Sequence, residues 1–172
     1  MLNVGSTSGG AFLAYMFTLL SVLLFGLIIY AITAFFMAKV FEKAGVEGKW
    51  RAWVPVYNNM IFFKLGDLSP WLVLYCVAGG ILLSVVGIGF IFSLALFGGS
   101  FVAAYRIGQK LGTEPAMVAM WIIPIVWLIV MGTNSNRWNT DVEPAPWKGN
   151  GFLEDRTEWN GVPVQAAGQV AP

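Results

Sequence analysis

Residues 41–64 read FEKAGVEGKWRAWVPVYNNMIFFK, and their reading decides the fold. With Lys39 just before it, the stretch holds Lys43, Lys49, Arg51 and Lys64, half of the 10 Lys and Arg in the chain. It is an island of charge between two long runs, residues 11–38 and 68–105, that contain no Lys, Arg, Asp or Glu. Lys43 to Glu47 and Glu47 to Arg51 have the i, i+4 spacing of helical pairs of opposite charge. Trp50, Trp53 and Tyr57 sit at i, i+3 and i+7 and would share one helical face. Pro55 disfavours helix at Val54 and is expected to end the segment there. Aromatic rings beside basic side chains suit a membrane interface, with the rings at headgroup depth and Lys and Arg reaching water. Lys43, Trp50, Arg51, Trp53 and Tyr57 are the candidate membrane-interface residues. An ordinary solvated loop is the plainer reading.

The same stretch carries a resemblance. Lys43-Ala44-Gly45, then Gly48 and Trp50, then Pro55-Val56-Tyr57-Asn58, with Lys64, Gly66 and Pro70-Trp71 beyond, is similar to the signature of an uncharacterised family of small bacterial integral membrane proteins. The likeness covers about residues 36–131, and Lys49 separates Gly48 from Trp50 where the family pattern joins them. It implies a bacterial membrane protein and no particular activity.

Composition agrees with a membrane class. Of 172 residues 58% are hydrophobic and only 11% charged, against ~25% charged in soluble domains. The mean hydropathy is +0.72. A net charge of +1 gives no reason to expect a nucleic-acid partner. There is no histidine, the commonest metal and haem ligand and the usual imidazole base. The one cysteine, Cys76, lies in an apolar run and reads as a small core residue. No cofactor or metal is expected.

Residues 11–38 exceed the ~20 needed to cross a hydrocarbon core and predict one transmembrane helix. A cleaved signal peptide fits poorly, with no basic segment ahead of an overlong apolar run. Residues 68–105 as one helix would be roughly 57 Å long. Gly87-Ile88-Gly89 near the middle reads as a tight turn, so spans at 71–86 and 90–105 form a short helical hairpin. The loop at 106–114 then returns to the side of the first loop, and both carry basic residues as the positive-inside rule requires of cytoplasmic loops. Residues 114–131 supply a last span, kinked at Pro124. The expectation is an all-α integral membrane protein with about four transmembrane helices. The domain is residues 1–131, and an extended polar tail follows at 132–172. The N-terminus and tail lie outside the bacterial cytoplasmic membrane.

The hairpin is rich in small residues. Gly80 with Ser84 and Gly99 with Ala103 have the i, i+4 spacing of close helix contacts, either to a partner or within the chain. The tail is too polar and proline-rich to form its own core, yet it holds Trp138, Trp147 and Trp159. These are candidate anchors on a partner. No span carries a charge of the kind that proton relays and ion carriers use. Ser84 and Ser93 have no adjacent base. The leading expectation is a non-catalytic accessory subunit of a larger membrane complex, respiratory or photosynthetic for example, whose partners are other membrane subunits and lipid. A small homo-oligomeric transporter, channel or lipid-handling protein is the alternative. An enzyme using Asp67, Arg106 or Glu114 at the span ends ranks third.

Overall fold

The computed structural model describes residues 4–163; the last residues of the expected tail, 164–172, lie outside them. The chain divides into two compact units, Met1–Thr33 and Ala34–Pro172. Among the described residues the fold is helical, with two isolated β-bridges at Leu68–Glu154 and Trp159–Val162.

Helix α1 is Val4–Lys43. In the first unit every described side chain from residue 9 to 29 is exposed, although nearly all are apolar. The Thr18 and Thr33 hydroxyls donate to the carbonyls of Ala14 and Ile29, so both are satisfied without water. Two helices are long and apolar enough to cross a membrane, Gly9–Lys43 and Gly89–Lys110. Two others, Trp71–Ser84 and Pro124–Thr133, are apolar but shorter.

The second unit begins where α1 becomes buried. The helix stops because Gly45 takes a φ of +77°. Its N–H reaches the Glu42 carbonyl and that of Val46 reaches Phe41, the paired bonds that close a helix with a left-handed residue. Lys43-Ala44-Gly45 is therefore a helix stop. The helical pairs Lys43–Glu47 and Glu47–Arg51 expected from spacing do not form, because the helix that would align them has ended. A 3-10 helix follows at Lys49–Trp53. Val56 then adopts φ 66° and ψ −52°, with the Tyr57 N–H 2.7 Å from the Pro55 carbonyl. This is a strained three-residue turn for a β-branched side chain. It launches α2, Tyr57–Leu65. The single interfacial helix face is thus two short helices at an angle, and Trp50 still stacks on Tyr57 at 6.1 Å.

Helices α3, Trp71–Ser84, and α4, Gly89–Lys110, form the expected hairpin about Gly87. A Cβ on Gly89 would lie 2.4 Å from the Gly80 carbonyl, so the two backbones touch near the turn. Ser84 lies at the same crossing. A Cβ on Gly99 would meet the Phe63 ring, and Ala103 is fully buried against Gly66. The small-residue pairs Gly80–Ser84 and Gly99–Ala103 therefore pack within this chain. At Gly66 a Cβ would sit 2.5 Å from the Ala103 backbone. Gly66→Ala will push α2 off α4 at a cost of ~1–3 kcal/mol, lowering the unfolding midpoint in detergent. Gly98→Ala, with open space around it, will leave the midpoint unchanged or raise it.

The last expected span, 114–131, is not one helix. It is a 3-10 helix, Pro115–Ile122, and α5, Pro124–Thr133. Pro124 has no N–H to close the next bond onto the Trp121 carbonyl, so the first piece stops and a new helix starts. Both ends return to the C-terminus of α4. At one end Thr113 bonds the Gly108 carbonyl through its N–H and its hydroxyl. At the other, the Asn136 amide donates to the Leu111 carbonyl at 2.7 Å and the Asn139 N–H to Lys110 at 2.8 Å. Midway, Trp121 Nε1 reaches Ser100 Oγ at 3.2 Å, ten residues or ~15 Å up α4 from Lys110. The segment goes in about halfway along α4 and comes back. Trp121 is wedged there between Phe62 and Trp127.

The tail is not extended away from the chain. Through residue 163 it lies across the ends of α1, α2 and α4. The Ser69 N–H donates to the Leu153 carbonyl and the Glu47 N–H to that of Gly161. An opposite-side placement of tail and basic loops is excluded by these bonds. It rested on counting 114–131 as a crossing.

Candidate functional site

The surface gathered under the tail contains buried charge. Helix α4 presents Ala103, Arg106, Ile107 and Lys110 at i, i+3, i+4 and i+7, one face, and all four are buried. Gly66 lets the C-terminal end of α2 press onto this face. The negative end of a helix dipole favours cations there, and three converge: Lys64, Arg106 and Lys110, of which both lysines are fully buried.

Asp67 answers two of them. Its Oδ1 accepts from Lys110 Nζ at 2.5 Å; its Oδ2 accepts from Arg106 Nε at 2.9 Å and lies 2.8 Å from Nη2 as an ion pair. Asp67 occupies the left-handed position that closes α2, φ 62°. Its N–H bonds the Lys64 carbonyl and that of Leu68 bonds Phe63. Gly87 and Gly112 hold the equivalent positions after α3 and α4. An aspartate where glycine is usual is there for its carboxylate.

The excess positive charge is met by backbone oxygens and by rings. Lys110 also donates to the Leu65 carbonyl and Arg106 to the Glu143 carbonyl and Gln109 Oε1. Lys64 Nζ pairs with Asp155 Oδ2 at 2.6 Å and donates to the carbonyl and hydroxyl of Thr157. Trp138 lies over Lys110 and Trp159 over Lys64, each 5.8 Å from cation to ring centre. Trp147 Nε1 donates to the Asp67 carbonyl at 2.8 Å. The three tail tryptophans expected to anchor a partner are therefore engaged by this chain's own charged cluster. A third lysine ties the tail's start. Lys43 Nζ, at the end of α1, donates to the carbonyls of Met131 and Asn134 and to Asn134 Oδ1.

No protein family, curated protein or solved structure matches this chain. What the site can do follows from its geometry alone. Each cation has a carboxylate or carbonyls within bonding distance, which makes the cluster a fixed clasp. Among the described residues no group of three or more His, Cys, Asp or Glu could hold a metal ion.

Of the candidate interface residues, Trp50 and Trp53 remain largely exposed. Lys43 is used as above, Arg51 donates to the Tyr57 hydroxyl and the Asn160 carbonyl, and Tyr57 is sandwiched between Trp50 and Trp159. In sequence Asp67 and Arg106 stand apart, at the ends of different expected spans. Lys64 and Lys110 read only as basic loop residues, and Asp155 does not stand out in the tail. The available signal was the spacing Ala103, Arg106, Lys110, a buried face whose small residue marks a close approach.

Proposed function

We propose that this chain is a non-catalytic structural subunit of a larger assembly in the bacterial cytoplasmic membrane. The observation that carries the reading is the division of labour between its surfaces. The charged side chains that cluster are spent on stapling the tail, while α1 through residue 29 and the outer side of the hairpin remain uncovered apolar helix. In lipid such faces associate by close packing with other helices. The resemblance read from residues 36–131 points to the same class. Native-gel separation of gently solubilised membranes, with mass spectrometry of the band, tests it. Other subunits in a large band are expected, and a lone small species would overturn the reading.

A broken, half-depth segment at Pro124 favours a second reading, a small homo-oligomeric transporter or lipid-handling protein, since interrupted helices line such sites. A single symmetric species on the same gel would bring it forward.

The proposed topology has α1 crossing once, the α3–α4 hairpin entering and returning, and residues 114–133 re-entering from the same face. All 10 Lys and Arg fall between residues 39 and 156, on the tail and on the segments beside it, and this supports a cytoplasmic side for that face. In a Cys76→Ala background, cysteines at Lys49 and Lys148 will react with an impermeant maleimide only after the cytoplasmic side is opened. Labelling of one without the other would rule this topology out.

A further inference from the structure

We propose that the tail carries a membrane anchor, Phe152, which a rigid loop holds against α3 at the boundary between headgroups and acyl chains; this rests on the membrane reading above. The loop is organised by its own polar groups. Asn150 Oδ1 accepts from the N–H groups of Phe152 and Leu153 at 3.0 and 3.1 Å, and the Glu154 N–H returns to the Asn150 carbonyl. Glu154 Oε2 accepts from the Gly149 N–H and from Arg156. The loop is pinned beside the start of α3 by Ser69 to Leu153 and by the Leu68–Glu154 bridge. What it presents outward is one large apolar side chain, Phe152, 61% exposed.

Phe152 stacks on Tyr75 with ring centres 6.1 Å apart. Tyr75 is four residues into α3, ~6 Å along the helix from Trp71. Trp71, Tyr75, Ala78 and Leu82 fall at i, i+4, i+7 and i+11 on one face of α3, and all four are exposed. Aromatic residues at the charged end of a stripe that continues as aliphatic is the order in which a lipid-facing helix meets headgroups and then acyl chains. The stack therefore places Phe152 at the depth of the aromatic girdle, beyond the polar cap from which its loop comes. The occupant of this patch is the lipid interface itself.

The test is spin labelling of the full chain in Cys76→Ala, reconstituted in vesicles of phosphatidylethanolamine and phosphatidylglycerol. Labels replace Phe152, Leu82 and Glu158, all exposed positions where folding tolerates them. Relaxation by oxygen, which partitions into lipid, is compared with relaxation by a water-soluble nickel chelate. The oxygen-to-nickel ratio at position 152 should exceed that at 158 several-fold and fall below that at 82. A ratio at 152 equal to that at 158, with 82 in lipid, would overturn the anchor alone. An aqueous ratio at 82 would overturn the membrane reading and the anchor with it.

Discussion

Asp67→Ala will be the most destabilising single substitution of a polar residue in this chain. It strips the carboxylate from Arg106 and Lys110, which are 4% and 0% exposed, and neither can reach water without parting α2 from α4. Removing one partner from a buried ion pair costs about 3–5 kcal/mol, because the remaining charge stays buried. Alanine must also hold the φ of 62° that Asp67 occupies, at a further ~1–2 kcal/mol. Backbone and charge effects separate in a series. Asp67→Gly removes the same carboxylate but relaxes the left-handed position. Asp67→Asn tolerates that conformation and keeps an acceptor for Lys110. Thermal unfolding in detergent should rank wild type above Asn, Asn above Gly, and Gly above Ala. Glycine equal to wild type would mean the carboxylate contributes nothing. The ranking should hold in high salt, since buried pairs are little screened. The exposed Lys49–Glu42 pair, with side chains 72% and 57% accessible, will show no measurable effect when broken.

Much of the apolar helical part was legible in the sequence, and the charged cluster under the tail was not. Residues 11–38 and the hairpin about Gly87 announce themselves because a charge-free run of fixed length has few folded solutions, and a glycine pair in its middle marks the turn. Residues 114–131 misled for a physical reason. Apolar length alone cannot distinguish a crossing from two half-length pieces, and Pro124 was read as a kink in one helix. The tail misled because polar, proline-rich composition argues against an independent core, which is true here. The tail instead borrows partners from α2 and α4. Trp138 and Trp159 meet Lys110 and Lys64, and Trp147 bonds the Asp67 carbonyl; those cations looked like solvated loop charges until Gly66 and Ala103 brought the two helices together. The signature Lys43-Ala44-Gly45 through Pro55-Val56-Tyr57-Asn58 reads in sequence as a resemblance to a family. In the structure it is a turn device, in which Gly45 stops α1 and Val56 starts α2. Asn58, buried, donates to the Ala52 carbonyl across the bend at 3.1 Å.

Lys64 and Asp155 are one pair, yet the two sides of it should fail differently. Lys64 is fully buried in the last turn of α2 and has no exit. Asp155 lies on the tail, its side chain 11% accessible, and can follow the tail into water. In Lys64→Met the leftover charge is on the surface-lying partner, so the tail can lift locally and the loss stops at the free energy of that opening. A charged hydrogen bond contributes ~1.5–3 kcal/mol, which predicts ~10–100-fold faster tryptic cleavage at Lys148 and Arg156 by local opening. The global midpoint should shift little. In Asp155→Ala the leftover charge is Lys64, held in the core with the Thr157 oxygens and the Trp159 ring as its remaining partners. Its cost falls on the whole second unit, so the midpoint should drop further than in Lys64→Met. Equal midpoints for the two variants would show that the tail and the helices unfold as one. A tryptic rate unchanged by Lys64→Met would show that Trp138, Trp147 and Asn139 hold the tail without this pair. The Lys64→Met, Asp155→Ala double variant should recover part of the Asp155→Ala loss, because it removes the stranded cation.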